Sequence, residues 1–199
     1  FLKEFLNCPN GEKNAVNKVF KQAAKSRVDL IRVAININSA LDCFKLLKYL
    51  NSLGYSVALN LMQSSSVSEK KFSKIISKIS KWKFLKIIYF ADTFGDMNPE
   101  TVVELSKLTK KSFSGHVGFH AHNNKGLALI NSITAVKEGI TYIDSTVMGM
   151  GRGAGNTQTE NLLIELESLS LLKNKDSINN LLPILLIDFK LLKNKYQWG

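Results

Sequence analysis

Arginine, histidine and cysteine are all scarce in this 199-residue chain, at three, three and two copies. Cys8 and Cys43 are too few for a disulfide framework, which points to a reducing, cytoplasmic setting. No charged-then-apolar leader opens the sequence and no uncharged apolar run approaches membrane-spanning length, so no membrane association is expected. The net charge of +11 comes almost wholly from lysine, because arginine stands only at positions 27, 32 and 152. Those lysines are spread through helical stretches such as "EKKFSKIISKISKWK" and form no basic block beside aromatics. Nucleic-acid readers draw on arginine forks, so a solvated lysine-rich surface is the simpler reading and no nucleic-acid partner is expected. The first residue is Phe1 rather than methionine, which reads as a processed chain or a fragment.

What is present is a 45% hydrophobic chain, enough for one domain with a substantial core. Apolar runs suited to buried strands recur at 28–35, 55–62, 85–91, 116–121 and 141–146. Helical patterns lie between them, at 12–25, 39–53, 67–82, 124–138 and 157–171, and a leucine-rich tail at 176–195 is also expected to be helical. In 67–82, Phe72, Ile75, Ile76, Ile79 and Trp82 follow helical spacing, and Ser66 with Glu69 reads as a capping box. Asn98 is placed to cap the next helix, with Pro99 at its first position and Glu100 at its positive end. Strand and helix alternate, which predicts a parallel α/β sheet covered on both faces. A doubly wound sheet would be complete with these five strands. A (β/α)8 barrel, which needs eight strands and typically about 250 residues, would be incomplete.

In either architecture reactive groups gather beyond the carboxyl ends of the strands. The run "HVGFHAHNN" places His116, Gly118, His120 and His122 on one face of a strand. His120 and His122 then lie about 7 Å apart, close enough for two imidazoles to converge on one ion. His116 sits about 20 Å below and reads as an ordinary strand-start histidine. An H-x-H pair alone is also compatible with packing or surface hydrogen bonding. Two neighbouring loops strengthen the metal reading: "DTFGDMNPE" after one strand and "DSTVMGMGRGAGNTQTE" after another. Glycines 149, 151, 153 and 155 allow tight turns and close approach to a ligand. Their spacing is not the dinucleotide fingerprint. The plainer reading is a flexible loop in which Thr157 and Glu160 cap the following helix.

The stretch "GFHAHNNKGLALINSITAVKEGITYIDSTVMGMGRGAGN" resembles strands seven and eight of the pyruvate-carboxyltransferase-like barrels, the DRE-TIM metallolyases. The resemblance covers about 28–160 and is strongest over 116–160. It implies a partial TIM barrel of strands four to eight: an opening helical region 1–27, five βα units over 28–171 and a helical tail over 172–199. It further implies that His120 and His122 are ligands of a divalent metal, with Asn156 as an additional ligand. Mn²⁺ or Mg²⁺ is favoured and Zn²⁺ is an alternative. Asn124 stands where the family's synthases carry aspartate, and Gly151-Arg152-Gly153 lacks their glutamate, so the aldolase branch matches better. The family's Arg-Asp motif, with the third ligand, is absent from this sequence, so no catalytic residue is assigned. Both ends read as cut.

The resemblance therefore implies a metal-dependent aldolase that cleaves a 4-hydroxy-2-oxo acid to pyruvate and an aldehyde, inactive as this stretch alone. The alternatives are an acyl-CoA-dependent condensing enzyme acting on a 2-oxo acid, or a non-catalytic barrel remnant. Arg32, Asn60, Asp92, Gly151 and Gly153 are the candidates for the substrate pocket. Arg32 is read as facing the barrel interior and Asp92 as a group behind the ligands or a structural anchor. An acylating aldehyde dehydrogenase is the implied partner of the parent enzyme. Two unpaired sheet edges would favour an oligomer.

Overall fold

The computed structural model describes residues 12–172, 180–181 and 183–198. Five parallel strands, β1 (Leu30–Asn36), β2 (Ser56–Met62), β3 (Leu85–Asp92), β4 (His116–Ala121) and β5 (Tyr142–Ile143), follow one another in the order β1-β2-β3-β4-β5. This order decides between the two architectures. A doubly wound sheet reverses direction at a switch point, whereas each strand here is followed by its own next neighbour, as in an arc of a β/α barrel. The helices are α1 (Glu12–Asn17), α2 (Phe44–Ser52), α3 (Glu69–Ile79), α4 (Pro99–Ser112), α5 (Ala128–Lys137), α6 (Thr159–Ser168) and α7 (Lys190–Tyr196). Among the described residues no helix is long and apolar enough to cross a membrane.

The chain divides into two compact units, one of Phe1–Phe90 and Leu108–Val117, the other of Ala91–Lys107 and Gly118–Gly199. In the first, β1 and β2 run in register from Leu30 opposite Ser56 to Asn36 opposite Met62. One face of β2 buries Val57, Leu59 and Leu61, while α2 buries Leu46, Leu47 and Leu50 and α3 buries Phe72, Ile75, Ile76 and Ile79. The opposite face carries a smaller apolar cluster, Ala58, Ile87 and Tyr89. On β1 burial is incomplete: Leu30, Arg32 and Ala34 are exposed, as suits a strand at the end of the sheet order. Cys43 is buried, its thiol donating to the Ala40 carbonyl at 2.9 Å, and burial pushes that thiol up to about 12, which leaves it unreactive. Cys8 lies outside the described residues.

Several boundaries differ from those expected of the sequence, each for a visible reason. The helix anticipated over 12–25 stops at Asn17. Beyond it the Lys21 carbonyl accepts from the Tyr55 hydroxyl at 2.9 Å and the Ala23 N–H donates to the Leu53 carbonyl at 2.8 Å, so tertiary partners take groups a helix would use. Before α2, residues Ile37–Cys43 wind as a 3-10 helix, started by the Asn36 side chain accepting from the Asn38 N–H at 2.9 Å. The cap of α3 is Ser68, not Ser66. Its side chain accepts from the Lys71 N–H, while the Ser66 hydroxyl turns back to the Gln63 carbonyl at 2.8 Å. Asn98 does cap α4, accepting from the Thr101 N–H at 2.9 Å. Of the expected tail helix, 176–179 and 182 lie outside the described residues, and Leu185–Phe189 forms a π-helical turn that leads into α7.

Candidate functional site

The second unit brings both paired histidines together with the glycine loop. Parallel pairing of Gly118 with Tyr142 and Phe119 with Ile143 fixes β4 against β5. Val117, Phe119 and Ala121 point into the core, which leaves His120 half-buried on the other face. His122 follows just past the strand and forms an antiparallel bridge with Asn156, at the end of the glycine loop. The two imidazole rings stand with centroids 5.1 Å apart at 81°. Strand alternation alone predicted a wider spacing between the two positions, and the rings have closed toward each other.

Each ring meets a different environment. His120 Nδ1 lies 2.9 Å from Asp144 Oδ2. His122 has its imidazolium form disfavoured chiefly by burial, then by the charges of His120 and Arg152, with a hydrogen bond to the Gly155 backbone opposing. His122 is thus held neutral to lower pH than an ordinary histidine, the state a metal ligand requires. Asn156 donates through Nδ2 to the Met150 carbonyl at 3.0 Å, while its buried Oδ1 has no hydrogen-bond partner among the described residues. Two imidazoles and an unpaired carboxamide oxygen suit a divalent cation by donor chemistry. Among the described residues no group of three His, Cys, Asp or Glu side chains is placed to hold a metal ion.

The loops around this group are built for close approach. Gly151 would drive a Cβ to within 2.7 Å of the Asn156 carboxamide, so only glycine leaves that side chain in place. Gly153 sits in the left-handed region with φ +61°. The Gly155 carbonyl accepts from the Asn123 N–H at 2.9 Å, tying the loop to the residue after His122. Thr157 and Glu160 form no capping box. The Thr157 hydroxyl is buried against the Ala128 carbonyl and the Ser132 hydroxyl, and Glu160 accepts from the Met148 N–H at 3.0 Å. β5 is likewise only two residues long where 141–146 was expected: the last bond to β4 is from the Asp144 N–H to the Phe119 carbonyl at 3.0 Å, and Thr146 bridges instead to Gln158.

Asp92, at the end of β3, is almost wholly buried and turned into its own loop. Its Oδ1 accepts from the Asp96 N–H at 2.9 Å and the Met97 N–H at 3.3 Å, while Oδ2 has no partner among the described residues. This is the geometry of an anchor for the 92–98 loop. Burial raises its carboxyl above the usual range, with the loop N–H groups opposing. A raised native pKa means the folded state binds the proton more tightly. Stability therefore falls as pH rises from the ordinary carboxylate range through the elevated native value. Asp92→Asn keeps an acceptor for the two N–H groups and should remove that slope. Urea unfolding of both proteins over a pH series measures it, and an unchanged slope would refute the assignment.

The remaining candidates, Arg32 and Asn60, belong to the first unit. The Arg32 guanidinium stacks 4.5 Å over the Tyr89 ring, and Asn60, paired with Ala34 and Tyr89 across the strands, buries a side-chain oxygen with no partner among the described residues. His116 is exposed at the start of β4, far down the strand from His122. Asp144 is the site residue that the sequence reading did not single out. Its only signal was its position, a carboxylate following the strand next to the histidine strand.

The sequence profile of the HMGL-like family matches residues 13–183. The 4-hydroxy-2-oxovalerate aldolase of Bacillus thuringiensis (strain Al Hakam) is 36% identical over 149 residues, which is 75% of this chain and 43% of that protein. That of Carboxydothermus hydrogenoformans is 36% identical over 75% of this chain and 44% of its own length. The chain thus spans less than half the length of these curated relatives. Among solved structures, the N-terminal domain of a candidate aldolase from Bacteroides vulgatus superposes with a TM-score of 0.77 at 37% identity, covering 86% of this chain and 56% of that one. HMG-CoA lyase of Bacillus subtilis superposes with a TM-score of 0.69 at 19% identity over 86% of this chain and 64% of its own, a likeness of fold alone. The chain belongs to the HMGL-like family.

Proposed function

We propose that this chain is the histidine-bearing part of a divalent-metal-dependent aldolase that cleaves a 4-hydroxy-2-oxo acid to pyruvate and an aldehyde. The observation that carries the reading is the pair of imidazoles 5.1 Å apart, with the unpaired Asn156 oxygen on the loop bridged to His122. The names of the relatives at 36% identity supply the reaction class. His120, His122 and Asn156 would hold the ion, with Mn²⁺ or Mg²⁺ the first choice. A bound divalent cation supplies Lewis-acid polarisation of the substrate's 2-oxo group.

The chain's own residues do the rest of what can be assigned. His122, whose imidazolium form burial disfavours, offers its lone pair more readily than an ordinary histidine. Gly151 leaves room for the Asn156 side chain, and at Gly153, where a Cβ would meet nothing nearer than the Asn124 carboxamide at 4.0 Å, the loop backbone is open to a ligand. Overall, the C3–C4 bond breaks with its electron pair passing to C3, the C4 hydroxyl loses its proton as the aldehyde leaves, and C3 takes up a proton to give pyruvate, so no net proton is gained or lost. The test is pyruvate release from 4-hydroxy-2-oxopentanoate by the full-length protein. We expect turnover with Mn²⁺ and none after chelation. Absence of pyruvate with every divalent ion tried would refute the reading.

A further inference from the structure

We propose that Asp144 is a positioning residue that fixes His120 as its Nδ1–H tautomer and so presents Nε2 to the divalent cation, an inference resting on the metal-dependent reading above. The contact is set by the fold and not by chance surface proximity. Gly118 pairs with Tyr142 and Phe119 with Ile143, so the next step along both strands brings His120 beside Asp144. The ladder continues through the Asp144 N–H, which donates to the Phe119 carbonyl at 3.0 Å. The side chains then meet at 2.9 Å between Nδ1 and Oδ2, with about a fifth of each exposed, 23% and 22%.

Hydrogen-bond arithmetic does the rest. An ionised carboxylate has only acceptors, and a neutral imidazole has one donor nitrogen and one acceptor nitrogen. With Nδ1 facing Oδ2 at 2.9 Å, the proton belongs on Nδ1. The opposite tautomer would set two lone pairs against each other. Nε2 is left as the bare nitrogen, and the ring's rotation is fixed by the same bond. The nearest imidazole, that of His122, lies 5.1 Å from the His120 ring, so an oriented Nε2 has a second nitrogen ligand within reach of a shared ion. Partners that orient a ligating histidine typically contribute about 10–100-fold to metal affinity.

The test reads the tautomer directly. In metal-free, ¹⁵N-histidine-labelled full-length protein, long-range ¹H–¹⁵N spectra should show His120 protonated at Nδ1 and bare at Nε2. Asp144→Ala should return His120 to the mixture typical of free histidine and weaken Mn²⁺ binding by about 10–100-fold. Asp144→Asn, which keeps an acceptor oxygen, should restore most of both. A wild-type His120 protonated at Nε2 would overturn the proposal, and that measurement needs no variant to fold. An Asp144→Ala protein with unchanged tautomer and Mn²⁺ affinity would overturn it equally. Because neither readout depends on turnover, a protein with the expected tautomer and affinity that releases no pyruvate would refute the aldolase reading and leave this one standing.

Discussion

His120→Ala and His122→Ala should each lower kcat/KM of the full-length protein for a 4-hydroxy-2-oxo acid by about 10³-fold or more, and the double variant should be little worse than either. Groups that act as one unit lose their whole effect when any member goes. Both rings flank the same space, with centroids 5.1 Å apart, so each removal leaves the ion short of a nitrogen it cannot replace. Mn²⁺ affinity, read by calorimetry, should fall further in each than the about 10–100-fold expected for a partner behind the ligands. His116→Ala is the internal control. That residue is exposed at the far end of the same strand, and its loss should change neither quantity. Equal effects at 116 and 120 would mean that the histidine spacing has no metal role.

Gly95→Ala should be the most damaging single methyl group in the second unit. Gly95 has φ +62°, and a Cβ there would lie 2.6 Å from the Asn124 nitrogen and 2.9 Å from the His122 carbonyl oxygen. Both neighbours lie on backbone that is tied on either side. The His122 N–H is bonded to the Asp92 carbonyl at 3.3 Å, and the Lys125 N–H to the Gly95 carbonyl at 3.1 Å. Left-handed backbone costs alanine about 1–2 kcal/mol, and overpacking against fixed groups about 1–3 more, so a loss of about 2–5 kcal/mol is expected on urea unfolding. Since the displaced backbone is that of His122, Mn²⁺ affinity should fall as well. Gly126→Ala separates strain from collision: it has φ +72° but no atom within 4 Å of the added Cβ. It should cost about 1–2 kcal/mol and spare the metal. If the two variants behave alike, the close approach at Gly95 has no energetic weight.

Much of this architecture is legible in the sequence, because the information is local. The runs that became β2, β3 and β4 are nearly continuous apolar stretches, and only a strand buried on both faces needs such residues. The spacing of Phe72, Ile75, Ile76 and Ile79 marks the buried stripe of α3 for the same reason. Strand order was not legible from periodicity: a doubly wound sheet and a barrel arc share the same alternation, and hydrogen-bonded order alone separates them. The helix expected over 12–25 is shortened where a distant group intervenes, whereas the cap of α3 shifts through a local bond from the Ser66 hydroxyl to the Gln63 carbonyl. The Tyr55 hydroxyl reaching the Lys21 carbonyl ends a helical pattern that nothing near Lys21 forbids.

At the site, the His120–His122 spacing and the glycine run stand out in the sequence, since both depend on neighbours a few residues apart. Asp144 does not, being 24 residues from His120 and joined to it only by the register of two strands. Asp92 shows the reverse case. A carboxylate at a strand end invites a chemical role, yet here one oxygen, Oδ1, is taken by the N–H groups of Asp96 and Met97, which shapes the loop, while Oδ2 has no partner among the described residues.

The proposed role of His120 and His122 is to bind one divalent cation together. The most direct measurement is the hyperfine spectrum of Mn²⁺ bound to the full-length protein with ¹⁴N- and ¹⁵N-labelled histidine. Couplings from two histidine nitrogens that change with the label, and disappear in the His120→Ala, His122→Ala double variant, are the predicted result. A spectrum that is indifferent to the histidine label, with Mn²⁺ held by oxygen alone, would contradict it.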